Sequence, residues 1–222
     1  MKTTFLLLLV IPFLGIVSSN DTLDPKSPCT HVAENIPDDW IKMADECVNA
    51  VRDQVQRELT AAMTYLAMGS HFSQYDVNRP GFAKYFFESA SEEREHAIKF
   101  ISYLLMRVAS EKHVDHLIKN PKPKAVKLTD GVEALQEALK LEASVTDNIR
   151  SIAAICEKAP FNGTEFNDYH LVDYLSGDFL DEQYKGQREL AGMISTLKKM
   201  RHAQGTLGEY LFDKKLLNNE LF

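Results

Sequence analysis

The sequence predicts an all-α fold: a bundle of four long helices with one long crossover, followed by a short fifth C-terminal helix. Three observations carry that expectation. Four long stretches place apolar residues at helical spacing; the connections between them run short, long, short; and no segment shows the alternation of a half-buried strand.

Residues 1–19 precede the fold. Lys2, the apolar run Phe5 to Val17 and the small residues Ser18 and Ser19 have the layout of a secretory signal peptide, with cleavage expected after Ser19. That run is too short to span a bilayer as a stable helix, and no other segment is apolar enough, so no membrane attachment is expected. Residues 20–43 hold Pro25, Pro28 and Pro37 without periodicity and read as an extended arm. The globular domain is expected over 44–222.

Within it the spacing predicts helices over about 44–72, 80–109, 130–158 and 169–201, with a short fifth helix over about 205–215. Asp76-Val77-Asn78-Arg79 is a short loop ending at Pro80, which suits a first helical position, so the first two helices are antiparallel neighbours. The next connection carries Asn120-Pro121-Lys122-Pro123 and is long enough to span the bundle, so the third helix runs parallel to the second. Ala159-Pro160 ends the third helix and a shorter loop leads into the fourth.

The chain has 25 basic and 32 acidic residues, a net charge of −7. There is no Lys/Arg cluster of the kind a nucleic-acid groove needs, so no nucleic-acid partner is expected. The informative charges are inside. Heptad seams align Val51, Glu58, Tyr65 and Phe72 in the first helix, and Phe86, Glu93 and Phe100 beside Phe82, Ser89, His96 and Tyr103 in the second. The third aligns Leu135, Glu142 and Ile149, and the fourth Gln183, Leu190 and Leu197. Each helix therefore aims a polar group into the core near its middle. A buried unpaired carboxylate costs several kcal/mol, and total stability is only about 5–15 kcal/mol. The seams offer no Lys or Arg at this level, so ion pairing does not compensate. A lone inward Glu or His is most often a hydrogen-bonded core residue; Glu58, Glu93, His96, Glu142 and Gln183 at one level point to metal instead. Carboxylates with one imidazole and no thiolate suit a hard cation, iron or manganese, and Glu93 and His96 at i, i+3 reach one ion.

Phe82-Ala83-Lys84-Tyr85-Phe86 through Glu92-Glu93-Arg94-Glu95-His96-Ala97 resembles the second helix of ferritin heavy chains. Arg57-Glu58-Leu59, Tyr65-Leu66, Leu141-Glu142, Asp181-Glu182-Gln183 and Gly208-Glu209-Tyr210-Leu211-Phe212-Asp213-Lys214 continue the likeness in the family's order, from about residue 44 onward. The signal segment, cysteines and arm resemble the secreted, insect-type heavy chain. The resemblance implies a ferritin-like bundle that oxidises Fe(II) with dioxygen and stores iron as ferric mineral inside a twenty-four-subunit shell, shared with a light-type chain. It implies Glu58, Glu93 and His96 on one iron, Glu93 bridging to a second iron that Glu142 also holds, and Gln183 and Tyr65 as polar neighbours. No ferroxidase position is missing.

The family's three-fold ion channel maps onto Asp173, but its acidic companion falls on Ser176, so Asp178 or Asp181, or carboxylates of a different subunit type, could serve instead. Glu92, with Glu88 and Glu95, could pass iron along, though a solvated helix face explains them equally well. Cys29, Cys47 and Cys156 are an odd set for an oxidising compartment, so one bridge and one thiol joining another subunit, through Cys29 or Cys47, are expected. Start of the first helix and end of the third share one end, so Cys47 and Cys156 could be close, but the sequence does not choose between the pairings. Asn162-Gly163-Thr164 is a glycosylation sequon in a loop, and Asn20-Asp21-Thr22 another beside the cleavage point. His113 and His116 have a metal-compatible spacing but read better as a plain surface loop, and Trp40 as an anchor for the arm. Two other readings stay open: a storage subunit without oxidation, and a secreted four-helix signalling protein, whose core would be apolar throughout.

Overall fold

A computed structural model describes residues 42–107, 117–125 and 128–220. The signal segment, most of the arm, Cys29, Trp40, His113, His116 and the sequon at Asn20 lie outside those residues.

The bundle is built from α1 (Asp45–Phe72), α2 (Pro80–Arg107), α3 (Gly131–Cys156) and a fourth rod made of α4 (Tyr169–Tyr174), a π-helical segment (Leu175–Leu180) and α5 (Asp181–Gln204); α6 (Thr206–Leu217) follows. Local chemistry explains the ends. Asp45 and Glu46 begin α1 and His71 closes it, each suited to the helix dipole. Pro80 opens α2, where a missing N–H costs nothing. Asp130 caps α3 by accepting the Glu133 N–H at 2.9 Å, while Glu133 reaches back to the Thr129 N–H at 2.8 Å. Asp168 caps α4 through the Leu171 N–H.

The long connection runs as its length requires. Lys119 N–H donates to Gln56 Oε1 at 2.7 Å and Lys124 N–H to Thr64 Oγ1 at 3.0 Å, so this stretch climbs alongside α1 toward the end where α3 begins. α3 is therefore parallel to α2. The seams of α1 and α2 are buried as expected, and the core falls into two clusters. One, around Val51, Phe100, Ile149 and Phe179, lies at the α1 start; the other, around Phe72, Phe82, Phe86, Leu135 and Phe212, lies at the α1 end. The inward polar residues lie between them along the helices.

Two features depart from the expected regular helices and plain loop. Leu171, Leu175, Phe179 and Gln183 are all buried at strict four-residue spacing. In an α-helix each such step overshoots a turn by about 40°. The wider i→i+5 turns of the π segment take up that drift and keep all four on one face. The loop before α4 contains a small hairpin, β1 (Pro160–Phe161) with β2 (Thr164–Glu165), antiparallel. Its two-residue turn is Asn162-Gly163, with φ of 51° and 79°. Asn-Gly supplies those left-handed conformations at low cost.

Cys47 and Cys156 form a disulfide between the start of α1 and the end of α3. Of the two cysteines expected as candidates for another subunit, Cys47 is thereby used within the chain. At the opposite end α6 packs against α2 and α5. Asp213, fully buried, accepts the Gly81 and Phe82 N–H groups at 2.8 and 3.1 Å and so caps α2 from 131 residues away. Gly81 permits that approach: a Cβ there would meet the Asp213 carbonyl oxygen at 2.0 Å.

Candidate metal centre

Glu58 comes from α1, Glu93 and His96 from α2, Glu142 from α3 and Gln183 from α5, so all four rods contribute to one layer. Glu58 is 0 % exposed, Glu93 3 % and His96 6 %, and each offers a ligand atom within 4.8 Å of the others. Glu142 completes the other side. It accepts hydrogen bonds from the Tyr65 hydroxyl and from Gln183 Nε2, the latter at 3.0 Å.

Three atoms test whether an ion fits. Glu58 Oε2, Glu93 Oε2 and His96 Nδ1 are buried without a hydrogen-bond partner. Such groups cost free energy unless satisfied. These three belong to the cluster just described and are the donor types a hard or borderline cation accepts. Burial, and then the nearby Glu93 carboxylate, hold the Glu58 carboxyl well above the ordinary carboxylate range. Burial and the Glu142 charge do the same for Glu93. Burial, followed by the Glu142 charge, pushes the Tyr65 phenol up as well. Glu58 and Glu93 thus hold a proton more tightly than ordinary carboxyls, and a cation binding there competes with it.

Around these residues lies a hydrogen-bonded set that the seam pattern does not single out. Gln54, fully buried, donates to Glu58 Oε1 at 2.6 Å and accepts from Asn148. The Thr146 hydroxyl lies 2.7 Å from Gln183 Oε1 and 2.9 Å from the Glu142 carbonyl, and accepts from Gln187 Nε2 at 2.6 Å. Gln54, Thr146 and Gln187 each stand four residues from a site residue, the one signal that could have found them. His96 Nε2 faces Glu182 Oε1 at 3.3 Å, which leaves Nδ1 turned toward the carboxylates. A carboxylate behind a ligating imidazole fixes its tautomer.

The remaining candidates stay outside this layer. Glu88, Glu92 and Glu95 are exposed on α2. Asp173 is exposed beside His170 and Ser176, away from the bundle interior. Asp181 pairs with Lys185 at 2.6 Å. Asn162 is exposed at the hairpin tip.

The profile of the ferritin family, described as a ferritin-like domain, matches residues 48–200. The chain belongs to the ferritin family. It is 56 % identical to the ferritin heavy chain of Papilio xuthus over 187 residues, 84 % of this chain and 87 % of that one. It is 49 % identical to the ferritin heavy chain of Drosophila melanogaster, over 85 % of this chain and 89 % of that one. The crystal structure of Trichoplusia ni secreted ferritin superposes with a TM-score of 0.78 at 53 % identity, covering 86 % of this chain and 98 % of that one. This ferritin is of the insect heavy-chain type, and its function is iron storage with oxidation of Fe(II). It binds iron and assembles with other ferritin subunits.

Proposed function

We propose that Glu58, Glu93, His96 and Glu142 hold two Fe(II) ions, with Glu93 bridging, and that Tyr65 and Gln183 orient Glu142. The three buried, partnerless ligand atoms of Glu58, Glu93 and His96 carry this reading. Three carboxylates balance only part of the charge of two Fe(II) ions. The same shell stabilises Fe(III) more, which favours electron loss to dioxygen. Two Fe(II) supply two electrons; dioxygen takes them with two protons to give hydrogen peroxide. Fe(III) then hydrolyses and joins a ferric mineral. Asp173 and Glu92 are the side chains we assign to the iron path into the site, with Ser176 leaving Asp173 without its usual companion.

We place the mature chain, 20–222, in the secretory pathway and outside the cell, in a twenty-four-subunit shell shared with a light-type chain. The neighbouring structure is of a secreted ferritin, which supports this setting. Cys47 and Cys156 are bonded to each other, so Cys29 is the thiol left to join a second subunit. Asn162, exposed on a hairpin tip, is accessible for glycosylation.

The deciding test is aerobic Fe(II) oxidation by the assembled protein beside a Glu58→Ala, His96→Ala variant of equal assembly state. Fast oxidation lost in the variant is the expected result; equal rates in both would move oxidation elsewhere and leave passive storage. Binding of Zn(II), a redox-silent stand-in, should release protons and tighten as pH rises, because Glu58 and Glu93 are protonated more readily than ordinary carboxylates. Titration calorimetry in two buffers of different ionisation enthalpy measures that release.

A further inference from the structure

A row of aromatic rings leads out of the metal layer toward the disulfide end of the bundle. The His96 ring meets Phe179 at 5.8 Å, edge to face. Phe179 meets Tyr174 at 5.3 Å, and Tyr174 stacks on Tyr103 at 5.0 Å with the planes 14° apart. Tyr103 then stacks on His170 at 5.7 Å, and its hydroxyl lies 2.9 Å from His170 Nδ1. Tyr103 is buried and His170 is exposed. A second row begins at Tyr65 and runs through Phe86 and Phe82 to Phe212, with branches from Phe86 to Tyr85 and through Phe72 to His71.

The hydrogen bonds at Tyr103 have a direction. Arg107 Nη1 donates to the Tyr103 oxygen at 2.7 Å, so the phenol proton is free to point at His170 Nδ1. Arg107 is itself held by Asp168 through two bonds of 3.0 and 2.9 Å, so the guanidinium charge beside the phenol is balanced. Burial, opposed by Arg107, pushes the phenol up to about 12, so at neutral pH it keeps its proton. Losing an electron therefore requires a base within hydrogen-bond reach, and His170 is that base. Tyr65 differs: its hydroxyl is committed to Glu142, a residue of the metal layer itself.

We propose that Tyr103 is a one-electron donor to the iron site, delivering its electron through Tyr174 and Phe179 to His96 and its proton to His170. The proposal rests on the di-iron reading above. The need arises when hydrogen peroxide, the product of dioxygen reduction, meets a site holding a single Fe(II). Cleaving the O–O bond to two waters takes two electrons and two protons. Fe(II) gives one electron and becomes Fe(III). Tyr103 gives the second, its O–H proton moves to His170 Nδ1, and solvent supplies the two protons for water. No hydroxyl radical is released. A further Fe(II) reaching the site returns an electron along the same rings, and His170 returns the proton. Tyr103, Tyr174 and His170 thus guard the bundle against one-electron oxidants and do not take part in the ordinary two-electron reaction.

The test uses the assembled full-length protein, loaded without oxygen with one Fe(II) per site, mixed with one equivalent of hydrogen peroxide and freeze-quenched for electron paramagnetic resonance. The wild type should show a tyrosyl radical. Tyr103→Phe, which keeps the ring stack and removes only the hydroxyl, should lose most of it. His170→Gln should slow its appearance, and Tyr65→Phe should retain it. Aerobic oxidation of two Fe(II) per site should be unchanged in Tyr103→Phe and His170→Gln. A full radical signal in Tyr103→Phe, or none in a wild type that oxidises Fe(II) normally, overturns the proposal. A wild type that fails to oxidise Fe(II) at all overturns the di-iron reading instead.

Discussion

At one end of the bundle Cys47 and Cys156 join α1 to α3 covalently, and Arg107 ties Asp168 to the Lys42 carbonyl beside them. At the other end the ties among the described residues are noncovalent: Asp213 of α6 caps α2, and Asp130 caps α3 while pairing with Arg201. The difference is one of where the stabilisation resides. A disulfide acts largely by restricting the unfolded chain, on the loop-entropy account, whereas a buried cap acts only in the folded one. The first end should answer to reductant and the second to side-chain chemistry and pH.

The largest expected effect is loss of the disulfide. It closes a sequence separation of 109 residues, for which loop entropy gives about 5 kcal/mol, an upper figure because engineered cases deliver less. Denaturant midpoints of wild type and Cys47→Ser, Cys156→Ser measure it; no change would mean the Arg107 network alone closes that end. Next is Asp213→Ala, which strands two buried N–H groups and should cost about 2–4 kcal/mol. Asp213→Asn keeps an acceptor oxygen, and the carboxyl it replaces is raised above its usual range by burial despite those bonds, so most of the stability should survive. Equal losses in both would make the charge, not the cap, the important part. The smallest is Asp130→Ala, about 1 kcal/mol, read from thermal melts. Partial burial raises the Asp130 carboxyl, but bonds from the Glu133 N–H and Arg201 outweigh it and leave it below its usual value. The charge-dependent part of its contribution, the Arg201 pair included, is therefore present at neutral pH and lost as pH falls through the depressed value, while the neutral carboxyl still accepts the Glu133 N–H; a melt difference that does not shrink in acid would break this account.

The sequence made the bundle and its metal layer legible for the same reason. A helix that must bury one face repeats its apolar residues over seven or eight turns, so Glu58, Glu93, His96, Glu142 and Gln183 interrupt a long signal. Short signals were lost. Each strand of the hairpin has two residues, too few for alternation, and only the Asn162-Gly163 pair marks it. The π segment hides because Leu171, Leu175, Phe179 and Gln183 look like an ordinary apolar stripe until the drift is counted. Nothing in the seam pattern marks Gln54 and Asn148, since a buried amide differs from an exposed one only in its partners. The bond from Asp213 to α2 spans 131 residues, which no local pattern encodes. The cysteine pairing needed the topology before Cys47 could be set opposite Cys156.

The Asn162-Gly163 turn also gives the molecule a chemical age. With no side chain on Gly163, its backbone nitrogen can attack the Asn162 side-chain amide, expelling ammonia and leaving aspartate or isoaspartate after hydrolysis. A chain glycosylated at Asn162 has that amide nitrogen substituted and is shielded. A chain left bare drifts one way, gains a negative charge at the hairpin tip, and can never afterwards receive the sugar.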